Sequence, residues 1–404
     1  MQNKPNVLLV SSEIDRNRYS SSLTTYKFIE QASKYYKIDV LTEPMSRFDF
    51  DDFIETLFIT NYKGHKGILY LKVLNRLNKL LFKSNIYRKF RLRAFKQSLK
   101  KLNLNKYDYI FAFGGGDFFE PLEALSKVKN LKAEKIGYIH DPFPFHFFPK
   151  PYKEPPTKRS IKHEHRLKKA FDNLNKLAFP SKLLSDWMGD CYNIKEEKRI
   201  VIPHGLPLSF IDDTQYTNTV NLFIDKHQLN DGFYFHAGTL LYHRRIEYLA
   251  EAFQKFKKEN NSKNIKLVHI GNIQYNYENT SEDVIIVNER LDLGFINNLS
   301  KKSLGLIIIE HISEISPFLP GKFPEYISLK KPILHFGPKN SEIVRIIQTY
   351  YPHIDSNTYT SELNDVNGIL NVLASGGILP NNHAFLDYFC FKPDNLISTK
   401  TLKE

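Results

Sequence analysis

The sequence predicts an α/β protein of two doubly wound domains, each a parallel sheet covered by helices. Three observations predict it. Short apolar runs rich in Val, Ile and Phe alternate with amphipathic stretches along most of the 404 residues, as in parallel strands joined by crossover helices. The alternation breaks near Pro203 to Gln215 and then restarts. The length suits two domains of ordinary size, set here at residues 1–205 and 206–404, with the last helix packing back on the first domain. Ligands of such sheets bind at the carboxyl ends of the strands, so the expected site is a cleft between facing domains.

In the first half, NVLLVSS (6–12) reads as a strand and SSLTTYKFIEQASKYY (21–36) as a helix opened by serine caps. KIDVLTE (37–43) is a strand, and YDYIFAFGGGD (107–117) is a strand ending in three glycines. KIGYIH (135–140) stops at HDPFPFHFFPKPY (140–152), a loop rich in proline and aromatic residues. KLAFPS (176–181) and RIVIPHG (199–205) complete this half. In the second half FYFHAGT, IKLVHIGN, DVIIVNE, GLIIIE and KPILHFG read as strands, IEYLAEAFQKFKKEN (246–260) as a helix and FPEYISL (323–329) as a short one.

Apolar residues make up 42% of the chain and charged residues 25%, the proportions of a folded soluble protein. There is no apolar run of about 18 residues, the length of a spanning helix. MQNKPNVLLVSSE has no signal-peptide core, so a cytoplasmic location is expected. Cys191 and Cys390 are read as buried thiols rather than a disulfide or a metal site.

The net charge of +13 sits in one place: residues 63–106 carry 14 of the 57 basic residues and no acidic one, leaving 43 basic against 44 acidic elsewhere. Within that segment Tyr70, Val73, Leu74, Leu77 and Leu81 fall at helical spacing, as do Leu92, Phe95, Leu99 and Leu102, with a break at Ser84-Asn85. A basic amphipathic pair of this kind either packs through its apolar stripe under a solvated lysine face or docks on an anionic membrane surface, with Tyr87 and Phe90 meeting lipid. The two readings are compatible. No nucleic-acid-binding motif accompanies the charge, so nucleic acid is not an expected partner.

Candidate chemistry gathers at strand ends. SPFLPGKFPEYISLKKPIL (316–334) places Phe318, Leu319, Pro320 and Gly321 in a turn feeding a helix N-terminus, whose free N–H groups suit an anion. Lys322 adds a mobile positive charge, and Glu325, one turn on, could accept a pair of sugar hydroxyls. HAGTLLYHRR puts Gly238 and Thr239 at a strand end and Arg244 and Arg245 before a helix, and arginine suits bidentate phosphate recognition. HIGN adds Gly271 and Asn272. Phosphate binding beside hydroxyl recognition points to a nucleotide-sugar. His140 and Asp141 end a first-half strand, where histidine can act as base or donor. Asp117, after Gly114 to Gly116, is either a second carboxylate or a helix cap, and Ser20 to Ser22 could offer N–H groups. Asp49 to Asp52 imitates an Asp-x-Asp metal motif but sits in a polar linker. His163 and His165 lie two residues apart in a helical stretch and so face different ways. No metal site is expected.

Taken together these segments resemble the GT-B glycosyltransferases, in particular the family-4 (group 1) set, over nearly the whole chain. RIVIPHGLP resembles the interdomain v-I-P-N-G-v, with His204 in the asparagine place. HAGTLLYHRRIEYLAEAF is similar to G-R-L-x-x-x-K-G-x-x-x-L-I-x-A-F, with Arg244 on the lysine, Arg245 on the following glycine and Thr239 on the first arginine. The 316–334 segment resembles the E-x7-E region: Glu325 falls on the second glutamate and Pro332 on its proline, while Pro317 replaces the first glutamate. HDPFPF resembles the loop whose histidine, here His140, points at the reacting sugar.

The resemblance implies a GT-B fold of two Rossmann-like domains. It also implies a metal-independent hexosyltransferase using a nucleoside diphosphate sugar, UDP-sugar favoured, with no cofactor. Arg244 or Arg245, Lys322, the 318–321 loop and Glu325 would hold the donor, and the site would include Gly238, Thr239 and Gly271. His140, with Asp141 or Asp117, would line the acceptor side. The acceptor would be a lipid-linked or cell-surface glycan precursor at the inner membrane face. A nucleotide-sugar epimerase of the same architecture and a catalytically inactive scaffold remain open.

Overall fold

Seven strands of the first half pair into one parallel sheet in the order β3-β2-β1-β4-β5-β6-β7. They are β1 (Asn6–Ser11), β2 (Lys37–Thr42), β3 (Thr56–Ile59), β4 (Tyr109–Gly114), β5 (Glu134–Ile139), β6 (Lys176–Phe179) and β7 (Arg199–Val201). This computed structural model describes residues 4–12, 14, 20–44, 52–62, 75–76, 86–116, 118–207, 214–260, 264–278 and 281–396. Alternate residues of each strand serve opposite faces. Ile110 and Ala112 of β4 enter the core on one side, and Phe111 and Phe113 enter the core on the other. Burial on both faces is why these strands read as apolar runs.

The strand β3 was not expected. Its residues are exposed or half-buried, so its own pattern is weak, and pairing with the edge of β2 makes it a strand.

Five helices of this unit are described: α1 (Ser20–Ala32), α2 (Ile86–Lys101), α3 (Glu120–Leu125), α4 (Lys158–Asp172) and α5 (Lys182–Tyr192). The side chains of Ser20 and Ser21, expected as caps of α1, lie outside the described residues. Thr157 and Ser160 form a capping box at α4. Ser181 caps α5, which ends on Asn193 at φ 52°.

Of the basic segment, Tyr70, Val73, Leu74, Leu77, Leu81 and Ser84-Asn85 lie outside the described residues. In α2, Phe95 and Leu99 are core residues, with Leu92 and Leu102 packed against them, so the stripe packs. Part of the positive charge is matched by carboxylates far away in sequence. Arg88 bonds Glu123 and lies 3.5 Å from Glu120 Oε1, and Arg91 Nε is 2.5 Å from Glu43 Oε1. Among the described residues no helix is long and apolar enough to cross a membrane.

The second unit repeats the plan with β8 (Phe233–Ala237), β9 (Lys266–Ile270), β10 (Val284–Val287), β11 (Gly305–Ile309), β12 (Ile333–Phe336) and β13 (Thr360–Ser361), in the order β10-β9-β8-β11-β12-β13. Leu306 and Ile308 enter one core, and Ile307 and Ile309 the opposite one. The helices are α6 (Thr217–Lys226), α7 (Ile246–Glu259), α8 (Leu293–Lys302), α9 (Lys322–Ser328), α10 (Glu342–Tyr350), α11 (Val366–Ser375) and α12 (His383–Tyr388). The two-residue β13 also went unforeseen, being too short to carry a pattern.

The second unit comprises Leu206–Phe389 and Pro149–Pro151, and residues 390–396 belong to the first. Phe391 packs there on Phe28 and Tyr36, with ring centroids 5.2 and 5.8 Å apart, and its N–H donates to Gln31 Oε1 at 2.5 Å. Neither Cys191 nor Cys390 is in a disulfide, and both are half-buried rather than fully buried.

Candidate functional site

In the second unit β8 and β9 end side by side at Gly238 and Gly271, whose φ angles are 153° and 146°. A Cβ on Gly271 would lie 2.0 Å from the Gly238 carbonyl oxygen. Only glycine allows this approach, and it brings the two strand ends together. Thr239 follows, exposed, and Leu240 N donates to the carbonyl of Asn272 at 2.9 Å.

The two adjacent arginines differ in what they do. Arg245 donates to Glu247 Oε1 through Nε at 3.0 Å and Nη2 at 2.7 Å, and lies 4.6 Å over the Tyr275 ring. Arg244 Nε is buried and has no hydrogen-bond partner among the described residues. Its charge acts on His236 and His311, helping to hold both imidazoles neutral. Of the two, Arg244 is the arginine whose charge is felt at His236 near the end of β8.

Lys322, expected as a mobile charge, is anchored: its ammonium donates to the carbonyl of Ala237 at the end of β8. A Cβ on Gly238 would sit 3.1 Å from Lys322 Nζ. Glu325 is half-buried in the first turn of α9. In the loop before it, Leu319 is a core residue and can offer only backbone, while the Phe318 ring lies 5.7 Å from His311. Pro320 O accepts from Phe323 N at 2.9 Å, closing the turn that starts α9 at Gly321.

That loop is tied to the sheet by Glu310, only 1% exposed at the end of β11. Its Oε1 accepts from Ser316 Oγ at 2.6 Å and its Oε2 pairs with His335 Nε2 at 2.8 Å. His335 Nδ1 in turn meets Thr360 Oγ1 at 2.7 Å. Burial alone would raise the Glu310 carboxyl, but the His335 and Ser316 hydrogen bonds hold it below its ordinary value.

His236 and His269 sit opposite one another in the β8–β9 register, their Nδ1 atoms 2.8 Å apart. His269 Nε2 meets the Gly271 carbonyl at 3.0 Å. Burial pushes His269 down to about 4 and His236 well below its ordinary value, so both are neutral at pH 7. Sequence reasoning missed this pair, along with Glu310 and His335. A signal was present, since β8, β9 and β12 each end in His-x-Gly: His236 to Gly238, His269 to Gly271 and His335 to Gly337.

The first unit holds a separate cluster. β4 ends in Gly114, Gly115 and Gly116, β5 leads into His140 and Asp141, and β7 leads toward His204. His140 is 8% exposed, and neither ring nitrogen has a hydrogen-bond partner among the described residues. Its ring stacks on Phe113 at 5.9 Å and on His204 at 5.6 Å. A Cβ on Gly115 would come 3.2 Å from His140 Cβ, so the glycine turn packs closely on the histidine. Desolvation holds His140 down at about 4. The Asp141 carboxyl is raised by burial and accepts the Gly116 N–H, bracing that turn. Asp117 lies outside the described residues. His204, noted in sequence only for its place in a motif, is the group brought against His140.

The aromatic loop is mostly packed. Phe143 stacks on Phe119 at 4.9 Å, Trp187 Nε1 donates to Phe147 O at 2.6 Å, and Phe145 is exposed. His163 Nδ1 accepts from Arg166 at 2.9 Å while His165 is exposed. Asp49 and Asp51 lie outside the described residues.

No protein-family model matches the chain, and no curated protein does. Solved structures do. The UDP-forming α,α-trehalose-phosphate synthase of Burkholderia xenovorans, in complex with glucose-6-phosphate, superposes with a TM-score of 0.59 at 9% identity over 95% of each chain. The HepE protein of Anabaena, in complex with UDP and glucose, gives 0.57 at 12% identity over 96% of this chain and 95% of its own. A glycosyltransferase of Rickettsia africae gives 0.56 at 13% over 93% and 88%. The fold is that of the GT-B glycosyltransferases. The glycine-lined ends of β8 and β9, with Lys322 held beside them, are the candidate site of the second unit.

Proposed function

We propose that the protein transfers a sugar from a nucleoside diphosphate sugar to a hydroxyl acceptor. The observation that carries this is Lys322, whose ammonium is held on the Ala237 carbonyl where Gly238 and Gly271 meet. The charge of Arg244, whose Nε has no partner among the described residues, is felt at His236 beside it. Two cations near the carboxyl ends of parallel strands suit a diphosphate. They stabilise the charge that develops on the leaving group, chemistry that requires no bound metal. Glu325 accepts the ribose hydroxyls, and N–H groups of the 318–321 loop face the donor. His140, held neutral, serves the acceptor hydroxyl as base or hydrogen-bond partner, and Asp141 keeps the glycine turn in place beside it.

UDP is the first base to test, because the HepE structure contains UDP and the Burkholderia enzyme is described as UDP-forming. A panel of UDP, GDP, CDP and dTDP read by thermal shift tests the donor assignment. A ligand at 100 times its Kd stabilises the fold by about 2.7 kcal/mol. A shift with one diphosphate is expected, and none with any of them refutes the reading.

We place the acceptor among lipid-linked or cell-surface glycan precursors of polysaccharide biosynthesis, met by a cytoplasmic protein resting on the inner membrane face. What supports this is Lys89, Phe90, Arg93, Lys100 and Lys101, exposed on α2, a set able to meet an anionic surface. Sedimentation with anionic vesicles, absent with neutral ones, is the expected result.

A further inference from the structure

We infer that His236 is a third cationic contact of the donor diphosphate: it takes up one proton when the diphosphate binds and donates it as a hydrogen bond from Nε2. The inference deepens the proposed function and rests on it.

The hydrogen bonds fix the tautomers. Only a protonated His269 Nε2 can bond the Gly271 carbonyl, 3.0 Å away, because a carbonyl oxygen accepts. Neutral His269 therefore carries a lone pair on Nδ1, and His236 Nδ1–H must be the donor across the 2.8 Å contact. That leaves the lone pair of neutral His236 on Nε2. The Gly238 position where Lys322 Nζ would lie 3.1 Å from a Cβ also lies 3.7 Å from His236 Cε1. Cε1, the ring atom bonded to Nε2, thus lies at the same strand-end corner as Lys322 Nζ.

Three charged or titratable groups act on His236: His269 on β9, Lys322 at the start of α9 and Arg244 before α7. After burial itself, all three disfavour its charged form, and no carboxylate is among them. Before a diphosphate binds, the imidazole is therefore neutral. A diphosphate seated between Arg244 and Lys322 cancels the repulsion from both and offers an oxygen that a lone pair cannot satisfy. Adding a proton at Nε2 resolves both conflicts. The proton comes from solvent and forms one N–H bond at Nε2, no bond between heavy atoms changes, and the His236–His269–Gly271 chain keeps its donor order.

The test is calorimetry with UDP-glucose, in which each phosphate carries one ester and one anhydride linkage and so has a single strongly acidic ionisation. Its charge is constant between pH 5.5 and 8, so that any proton taken up belongs to the protein. Titrations of the full chain in buffers of different ionisation enthalpy give the number of protons bound. The expected result approaches one proton per ligand, with affinity falling by up to about tenfold per pH unit as pH rises. His236→Gln, which cannot be charged, should abolish the uptake and flatten the pH dependence. Tight binding with no proton uptake in the wild type overturns the inference and leaves the donor assignment standing. So does unchanged uptake in His236→Gln. If UDP-glucose and the diphosphates do not bind the wild type at any pH, the donor reading itself fails. The wild-type measurement decides the matter even if the variant does not fold.

Discussion

Replacing Arg244 and Arg245 one at a time separates two residues that the sequence presents as equivalents. Arg244 has a buried Nε without a partner among the described residues, and its charge adds to the burial that keeps His236 neutral. Its removal takes no hydrogen bond from the free protein, so Arg244→Ala should keep its stability within about 0.5 kcal/mol. A charge-assisted hydrogen bond to phosphate is worth about 1.5–3 kcal/mol, so diphosphate affinity should fall by about 10- to 150-fold. Arg245 is already bonded to Glu247, and its side chain is 45% exposed. Such surface pairs contribute about 0–1 kcal/mol, so Arg245→Ala should bind diphosphate within about twofold of wild type. Calorimetric titration with the diphosphate that stabilises the wild type, beside a thermal melt of each variant, gives both quantities. Equal losses in the two variants would refute the assignment of Arg244, as would full affinity in Arg244→Ala.

Glu310→Ala breaks a buried pair and should cost about 3–5 kcal/mol in denaturant unfolding, and a loss below about 1 kcal/mol would show that Glu310 is not the tie of the 311–321 loop. The Tyr359 hydroxyl is fully buried with no partner among the described residues. Tyr359→Phe should therefore raise stability by about 1 kcal/mol, and a lower Tm would contradict that account. Acid should destabilise the fold before its carboxylates titrate. His140, His269 and His311 are lowered from 6.5 to about 4 by burial, so between those values the unfolded chain binds more protons. Stability is complete above about 6.5 and is lost as pH falls, by about 1.4 kcal/mol per unit for each such histidine. The raised carboxyls of Asp141 and Glu120 work the other way, but they are fewer. A Tm that stays flat from pH 7 to pH 4.5 would sink this reading.

The doubly wound architecture could be read along the chain because a strand buried on both faces must be apolar throughout. LGLIII and YIFAF are such strands, and both appear as expected. The glycines at strand ends were legible for the same local reason, since a tight approach of two backbones leaves no room for a Cβ. Edge strands escaped, because β3 and β13 are fixed by a neighbour rather than by their own pattern.

Local spacing fixed the order and character of the elements, since periodicity and turn chemistry act within a few residues. Tertiary structure alone assigned the partners. It paired Arg88 and Arg91 of an all-basic segment with Glu123 and Glu43. It left Arg244 open while binding Arg245 to Glu247. It also set His236 against His269, 33 residues away. Charge and hydrogen bonding act across whatever packing brings within a few ångströms, and that proximity is not written in sequence separation.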